Sequence, residues 1–209
     1  VYQATLPINS GFLERFNASA DQRNPVFAYL PFSVAVPHCV EGSDRCWGWE
    51  DSPSIFAEMV DEMRPTTDPQ RIYATGLSTG GEGTWRVAMT RADVVAAVVP
   101  LSPTMDVAWA NTNAAGARGV PVWGFHSSVD DNPNTSPANS TAFADLVNGA
   151  GGRASITTGP WVSASSGSGH AGWYEVYGGE HGGSLDGETD VFEWLMRWTL
   201  DNPPQPVGP

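Results

Sequence analysis

Apolar positions in this chain recur with two different spacings. Over residues 53 to 64 they recur every three or four positions, which is the spacing of one helix face, with Ser52 as a cap and Pro53 at the first position. A second helical pattern runs from Glu188 to Leu200. Short runs of β-branched and apolar residues predict strands at Phe32 to Pro37, Arg71 to Thr75, Val94 to Pro100 and Val120 to His126.

Strands that alternate with helices predict an α/β fold, with a mainly parallel sheet and helices on both of its faces. In such a sheet the functional site lies at the carboxyl ends of the strands. The 209 residues contain no internal repeat or linker. We therefore expect a single catalytic domain over residues 1–201, followed by a Pro-rich tail at 202–209.

The strongest chemical signal is a serine between two glycines, in the sequence Gly76-Leu77-Ser78-Thr79-Gly80. This pattern can occur by chance in a chain with 23 glycines. Here a predicted strand precedes it and an apolar helical segment follows it, and that context is typical of a nucleophile elbow. We therefore predict that Ser78 is a nucleophile and that the backbone N–H of Thr79 is one donor of an oxyanion hole.

A serine nucleophile needs a base, and the chain has four histidines. His38 fits a strand end, and His126 closes the last predicted strand, where we expect it to brace the following loop by hydrogen bonding. His170 lies in a Ser/Gly-rich stretch that offers little to fix an imidazole. His181 lies beyond a strand-like segment, Trp173 to Tyr177, and a strand end fixes a side chain better than a loop does. We predict His181 as the base, with His170 as the alternative.

Two adjacent aspartates are candidates for the acid that orients this base. The sequence Phe-His-Ser-Ser-Val-Asp that ends at Asp130 resembles the Phe-His-Gly-x-x-Asp sequence of α/β-hydrolases, which implies that Asp130 is the acid. Adjacent side chains point in different directions, so only one of the two can face the imidazole. Asp131 also suits a turn, because Asn132 and Pro133 follow it.

The formal net charge is −13, and all ten basic residues are arginine. Without a basic face we expect neither nucleic acid nor a membrane as a partner, and no cofactor or metal ion is implied. The acidic balance suits a monomer outside the cell, with extreme halophily as an alternative. Cys39 and Cys46 are separated by a short polar loop, and we predict a disulfide between them; two free thiols or a metal pair are the alternatives.

Four stretches resemble the polyhydroxybutyrate depolymerase and feruloyl-esterase group of secreted α/β-hydrolases: Asp44 to Trp49, Asp68 to Ser78, Ser136 to Asn139 and Tyr177 to His181. The resemblance implies an α/β-hydrolase fold. It also implies a catalytic triad of Ser78, Asp130 and His181. It makes Trp47 a wall of the substrate cleft, and we add Trp49 as a second substrate-binding residue.

Two features depart from the pattern of this group. Ser127 stands where the group usually has glycine. The strand that normally ends in His-Gly, and whose loop gives the second oxyanion donor, is matched only by Tyr2 to Leu6, which ends in Pro7. Proline has no N–H, so we predict Ile8, or else Asn9, as the second donor. The expected fold thus lacks the first N-terminal strands and a lid, either naturally or by truncation.

We therefore expect a secreted serine carboxylic-ester hydrolase that forms an acyl-enzyme on polymeric or aromatic esters, such as polyhydroxyalkanoate or an aromatic polyester. Feruloyl or acetylxylan esterase and serine peptidase are the alternative activities. A non-catalytic domain that binds through the nine tryptophans would be a different class of protein. A complete set of serine, aspartate and histidine in the expected order favours catalysis over binding alone.

Overall fold

The computed structural model describes residues 52–104, 106–162, 167–170 and 191–201. In chain order the helices and strands are α1 Ser52–Met63, β1 Tyr73–Leu77, α2 Thr79–Thr90, β2 Ala97–Leu101, α3 Val107–Asn113, β3 Pro121–Ser127, α4 Pro137–Gly149, β4 Arg153–Gly159 and α5 Val191–Met196. Short 3-10 helices cover Arg64–Thr66 and Ala114–Gly119. None of the described helices is long and apolar enough to cross a membrane.

The four described strands form one parallel sheet in the order β1-β2-β3-β4. Leu77 at the end of β1 is in register with Leu101, and Leu101 is in register with Phe125 of β3. Parallel strands in this register end along one edge. The loops that follow the strands therefore start side by side, which is where the sequence predicts the site.

The sheet buries apolar side chains on both faces, as the alternation along its strands requires. Val122 of β3 joins a cluster that contains Phe56 of α1, Trp85 of α2 and Phe143 of α4. Trp123, the next residue, joins the opposite cluster, to which α5 contributes Val191 and Leu195. The predicted sheet with helices on both faces is confirmed.

The last helix is shorter than predicted. It ends at Met196 rather than at Leu200, and the chain then turns, with the backbone N–H of Trp198 donating to the Leu195 carbonyl at 3.1 Å. The turn brings Leu200 to the segment before β1, where its N–H donates to the Gln70 carbonyl at 3.1 Å. This backbone bond to Gln70 competes with helix continuation. Neither β4 nor helices α3 and α4 were predicted from the sequence.

Several predicted site residues lie outside the described residues, and the predictions made for them stay predictions. They are Ile8, Cys39, Cys46, Trp47, Trp49 and His181.

Candidate active site

Ser78 occupies the sharp turn between β1 and α2. Its backbone has φ 61° and ψ −119°. Residues other than glycine rarely adopt this conformation, which costs on the order of 1–3 kcal/mol. Two backbone hydrogen bonds hold it there: its N–H donates to the Leu101 carbonyl, and its carbonyl accepts from the Glu82 N–H, each at 3.0 Å. This is the strained turn that a nucleophile elbow requires.

Glycine at position 76 is a steric requirement of this turn. A Cβ there would lie 2.5 Å from the backbone carbonyl carbon of Gly80, which is backbone that cannot move aside. Thr79 is the first residue of α2 and is exposed. Its N–H belongs to the first helical turn, whose amides point away from the helix toward the space beside Ser78. This position is consistent with the oxyanion role predicted for Thr79.

A series of backbone hydrogen bonds runs along the carboxyl edge of the sheet. The residue after each of the first three strands donates its N–H to the next strand: Ser78 to Leu101, Ser102 to Phe125 and Ser128 to Gly159, at 2.8 to 3.0 Å. Neighbouring strands lie about 4.8 Å apart, so the ends of β1 and β3 are about 10 Å apart. Side chains and loops can span this distance above the edge.

Asp130 lies in the loop after β3, and its side chain is fully buried. Oδ1 accepts the N–H of Asn132 at 2.9 Å, and Oδ2 lies 3.0 Å from Nδ1 of His170. Burial alone would raise the pKa of this carboxyl, but the hydrogen bonds from His170, from the Asn132 N–H and from Thr135 outweigh it and hold the pKa below its usual value. Asp130 is therefore an ionised, fully engaged carboxylate at neutral pH.

His170 is one of two histidines that the described structure places against Asp130, and of these two it is the one whose side chain is partly exposed. Because an ionised carboxylate only accepts hydrogen bonds, Nδ1 must carry the proton in the 3.0 Å contact. In the neutral ring Nε2 then keeps its lone pair, and the ring remains partly exposed. This is the tautomer that a general base for a serine hydroxyl needs.

The segment 167–170 is held in place by the loop after β3. Asp131 Oδ1 accepts the hydroxyl of Ser168 at 2.7 Å and the backbone N–H of His170 at 3.1 Å. Gly169 lies so close to Val129 that a Cβ would overlap the Val129 carbonyl group. The expectation that this stretch has little to fix an imidazole is therefore wrong, because its supports come from residues some 40 positions earlier.

Asp131 has a role beyond its turn chemistry. Its carboxylate is exposed, and its pKa is lowered by the hydrogen bond from Ser168 and by that from the His170 N–H. The two adjacent aspartates point in different directions, as the sequence predicts. Asp130 contacts the imidazole of His170, and Asp131 accepts the backbone N–H of the same residue.

Two more residues at the end of β3 support the site. His126 is buried, with Nδ1 2.7 Å from the Ser140 hydroxyl and Nε2 3.0 Å from Asp130 Oδ2. His126 contacts the loop through Asp130 as predicted, but its hydrogen bond is to Ser140 on α4, and the contact with Asp130 does not have hydrogen-bond geometry. Ser127, which replaces the glycine of the resembled family, donates its hydroxyl to the Trp161 carbonyl at 2.6 Å. Its side chain thereby ties the end of β3 to the chain beyond β4.

Comparison with known proteins supports the fold. No family model matches the chain, and no curated protein is significantly similar to it. A solved thermostable esterase has a TM-score of 0.57 to this chain at 24% identity, over 72% of this chain and 37% of the esterase. An acylaminoacyl peptidase from Pyrococcus horikoshii has a TM-score of 0.47 at 17% identity, over 72% of this chain and 30% of the peptidase. A point variant of SOBER1 from Arabidopsis thaliana has a TM-score of 0.44 at 18% identity, over 63% and 66% of the two chains.

The chain thus has an α/β-hydrolase fold. The match covers only about a third of the thermostable esterase, 37% of its length. Ser78 lies in the strand-to-helix turn and Asp130 in the loop after β3, where the sequence predicted them, and the catalytic roles predicted for Ser78, Thr79 and Asp130 stay predictions. The sequence favoured His181 over His170 as the base, and Ser140 was not among the predicted site residues. Had β4 been predicted, His170 would have been recognised as a histidine in the chain that follows the strand next to β3. The strand β4 was not predicted, so this indication was missed.

Proposed function

We propose that this chain is a serine hydrolase of carboxylic esters, with Ser78 as nucleophile, Asp130 as acid and His170 as base. The observation that carries the proposal is the 3.0 Å contact between Asp130 Oδ2 and His170 Nδ1, at the same sheet edge as the strained turn of Ser78. A strained serine and a partly exposed histidine whose Nε2 has a lone pair in the neutral ring are the two groups that acyl transfer requires.

The proposed reaction has two halves. Nε2 of His170 accepts the Ser78 hydroxyl proton while Oγ attacks the ester carbonyl carbon, and the Thr79 N–H stabilises the oxyanion that forms. The tetrahedral intermediate expels the alcohol, which takes the proton from His170, and the acyl group stays on Oγ. Water then attacks the acyl carbon while Nε2 of His170 takes its proton. The second tetrahedral intermediate breaks its bond to Oγ, His170 returns the proton to Oγ of Ser78, and the carboxylic acid product leaves. Asp130 stabilises the imidazolium in both halves.

His181, the base predicted from the sequence, is the competing assignment. Asp130 Oδ2 already lies 3.0 Å from two imidazoles, those of His170 and His126, and Oδ1 accepts the Asn132 N–H. A further histidine would have to displace one of these partners. This occupancy of the carboxylate favours His170 as the base.

For the substrate we propose a polymeric or aromatic ester. The support is the resemblance to secreted polyester and feruloyl esterases, together with Trp47 and Trp49, whose flat apolar rings suit aryl or extended acyl groups. An extracellular location belongs to the same proposal, and it rests on the acidic composition and on the predicted pairing of Cys39 with Cys46.

The experiment compares Ser78→Ala, His170→Ala and His181→Ala in fluorophosphonate labelling and in hydrolysis of p-nitrophenyl butyrate. Ser78→Ala should lose all labelling. Loss of a general base costs about 100- to 10,000-fold in rate, so His170→Ala should fall by this factor while His181→Ala stays close to the unchanged chain. If His181→Ala is inactive and His170→Ala is active, the base is His181 and not His170. Continued labelling of Ser78→Ala would refute the nucleophile.

A second panel addresses the substrate. Polyhydroxybutyrate, an aromatic polyester film, methyl ferulate and a peptide p-nitroanilide are given to the unchanged chain under one set of conditions. We expect hydrolysis of a polymeric or aromatic ester and none of the anilide. Cleavage of the anilide alone would favour a peptidase.

A further inference from the structure

His126 is a titratable side chain that the proposed reaction does not use. It lies near the carboxyl end of β3, and its side chain is completely buried. A buried polar ring is costly unless its nitrogens find partners. Nδ1 lies 2.7 Å from Oγ of Ser140 on α4, and Nε2 lies 3.0 Å from Oδ2 of Asp130. The Nε2–Oδ2 contact is short but lies off the straight line of an ideal hydrogen bond.

The protons of this cluster follow from its charges. Burial lowers the pKa of His126, and the nearby Asp130 charge only partly offsets this effect, so the ring is neutral at neutral pH. Asp130 is ionised and only accepts, so the His126 nitrogen that faces it, Nε2, carries the single proton. Nδ1 is then an acceptor, and the Ser140 hydroxyl must donate to it.

We infer that Ser140 and His126 form a positioning relay that fixes the carboxylate of Asp130 toward His170. The inference rests on the proposed function. Its geometric basis is that two imidazoles meet Oδ2, His126 from the sheet and His170 from segment 167–170, while the Asn132 N–H holds Oδ1. With both oxygens held, the carboxylate cannot rotate away from the base.

The relay also changes the charge that faces His170. The His126 N–H points at the same Asp130 oxygen that His170 contacts, so the two imidazoles share the negative charge of that oxygen. Among the described residues, the titratable groups facing His126 are Asp130 and His170. Helix α4 contributes the Ser140 hydroxyl and β4 places Thr158 beside it in register, and neither titrates in this range.

The test uses three relay variants and one matched control. His126→Leu removes the donor, His126→Gln keeps an N–H donor close to the position of Nε2, and Ser140→Ala removes the support of the ring. The control is Asn148→Ala, also on α4, whose side chain exchanges two hydrogen bonds with Ala154 of β4 at 2.8 and 2.9 Å but does not bond to Asp130. For each we measure thermal unfolding, kcat and KM on p-nitrophenyl butyrate, and the pH profile of kcat/KM.

Displacing a catalytic group by about 1 Å can cost about 100-fold in rate, so we expect His126→Leu to lose about 10- to 100-fold, mainly in kcat. The acidic limb of its kcat/KM profile should move to higher pH, because the carboxylate charge that His126 shared is then left to the remaining imidazole. Ser140→Ala should change in the same direction by less, and His126→Gln should restore most of kcat. Asn148→Ala should unfold at lower temperature with an unchanged pH profile.

Two results would overturn the relay. The first is that both His126→Leu and Ser140→Ala keep the kcat and the pH profile of the unchanged chain. The second is that the control Asn148→Ala shows the rate loss and pH shift expected for His126→Leu. Should His126→Leu fail to fold, an unshifted acidic limb in Ser140→Ala would decide against the relay, and a shifted limb with rescue by His126→Gln would support it. Fluorophosphonate labelling of Ser78 in the unchanged chain separates the two proposals. If Ser78 is not labelled, both the proposed function and the relay are wrong. If Ser78 is labelled but the relay variants keep wild-type kcat and pH profiles, only the relay is wrong.

Discussion

Replacement of Gly169 by alanine tests whether segment 167–170 positions the base. A Cβ at this residue would lie 2.6 Å from the Val129 carbonyl carbon and 3.0 Å from the Asp130 nitrogen. Carbon atoms in contact need about 3.5 Å, so the segment must move by about 1 Å. His170 is the next residue, and the same shift would stretch its 3.0 Å contact with Asp130 beyond hydrogen-bond range.

A shift of this size predicts a loss of about 100-fold in kcat/KM, which corresponds to about 2.7 kcal/mol of transition-state stabilisation. Because the segment contributes no large apolar side chain to the core, the unfolding temperature should change much less than the rate. The assay is p-nitrophenyl butyrate hydrolysis together with the rate of fluorophosphonate labelling, which reports the reactivity of Ser78 without a need for full turnover.

The matched control is Gly149→Ala at the end of α4, where an added Cβ meets no atom within 4 Å. It should keep full activity. Wild-type labelling and turnover in a folded Gly169→Ala would refute the reasoning, because the base would then tolerate a displacement that the structure makes unavoidable.

The remaining predictions concern single side chains. Asp130→Ala should lose about 10⁴-fold in kcat, whereas Asp131→Ala, which loosens only the backbone of the segment, should lose about tenfold; equal losses would contradict the division of roles. The stabilisation from Asp130 is fully present above its unfolded pKa of about 3.9 and is lost as the pH falls through its lower folded pKa, so Asp130→Asn should flatten the drop in unfolding temperature below about pH 4. Ser127→Gly should cost about 1 kcal/mol in denaturant unfolding, because its hydrogen bond to the Trp161 carbonyl is lost, and an unchanged midpoint would show that this bond contributes nothing. Finally, Trp47→Ala should reduce turnover of a polyester film far more than that of p-nitrophenyl acetate, and equal losses would argue for a structural role.

Features of this protein that have local causes can be predicted from its amino-acid sequence. The turn at Ser78 depends on a strand, a glycine at position 76 and a helix, and all of them are adjacent in the chain. The same holds for α1 and for β1 to β3, which apolar spacing predicts well enough to orient the sheet and to locate its carboxyl edge. Asp130 was predicted from a resemblance, because the six residues that end β3 and enter the loop are similar to a sequence of α/β-hydrolases.

The groups that surround Asp130 are set by tertiary contacts. Nothing near His170 in the sequence indicates that its ring is held, because the holding carboxylates lie 40 and 39 positions away, on a loop two elements earlier. Ser140 meets His126 across 14 positions, from a helix that the sequence analysis did not identify. Such contacts depend on which strands become neighbours in the sheet, and neighbouring strand ends bring together loops that are far apart in the sequence. Local sequence therefore predicts where Ser78 and Asp130 lie, whereas the positions of the two imidazoles beside Asp130 are set by the folding of the sheet.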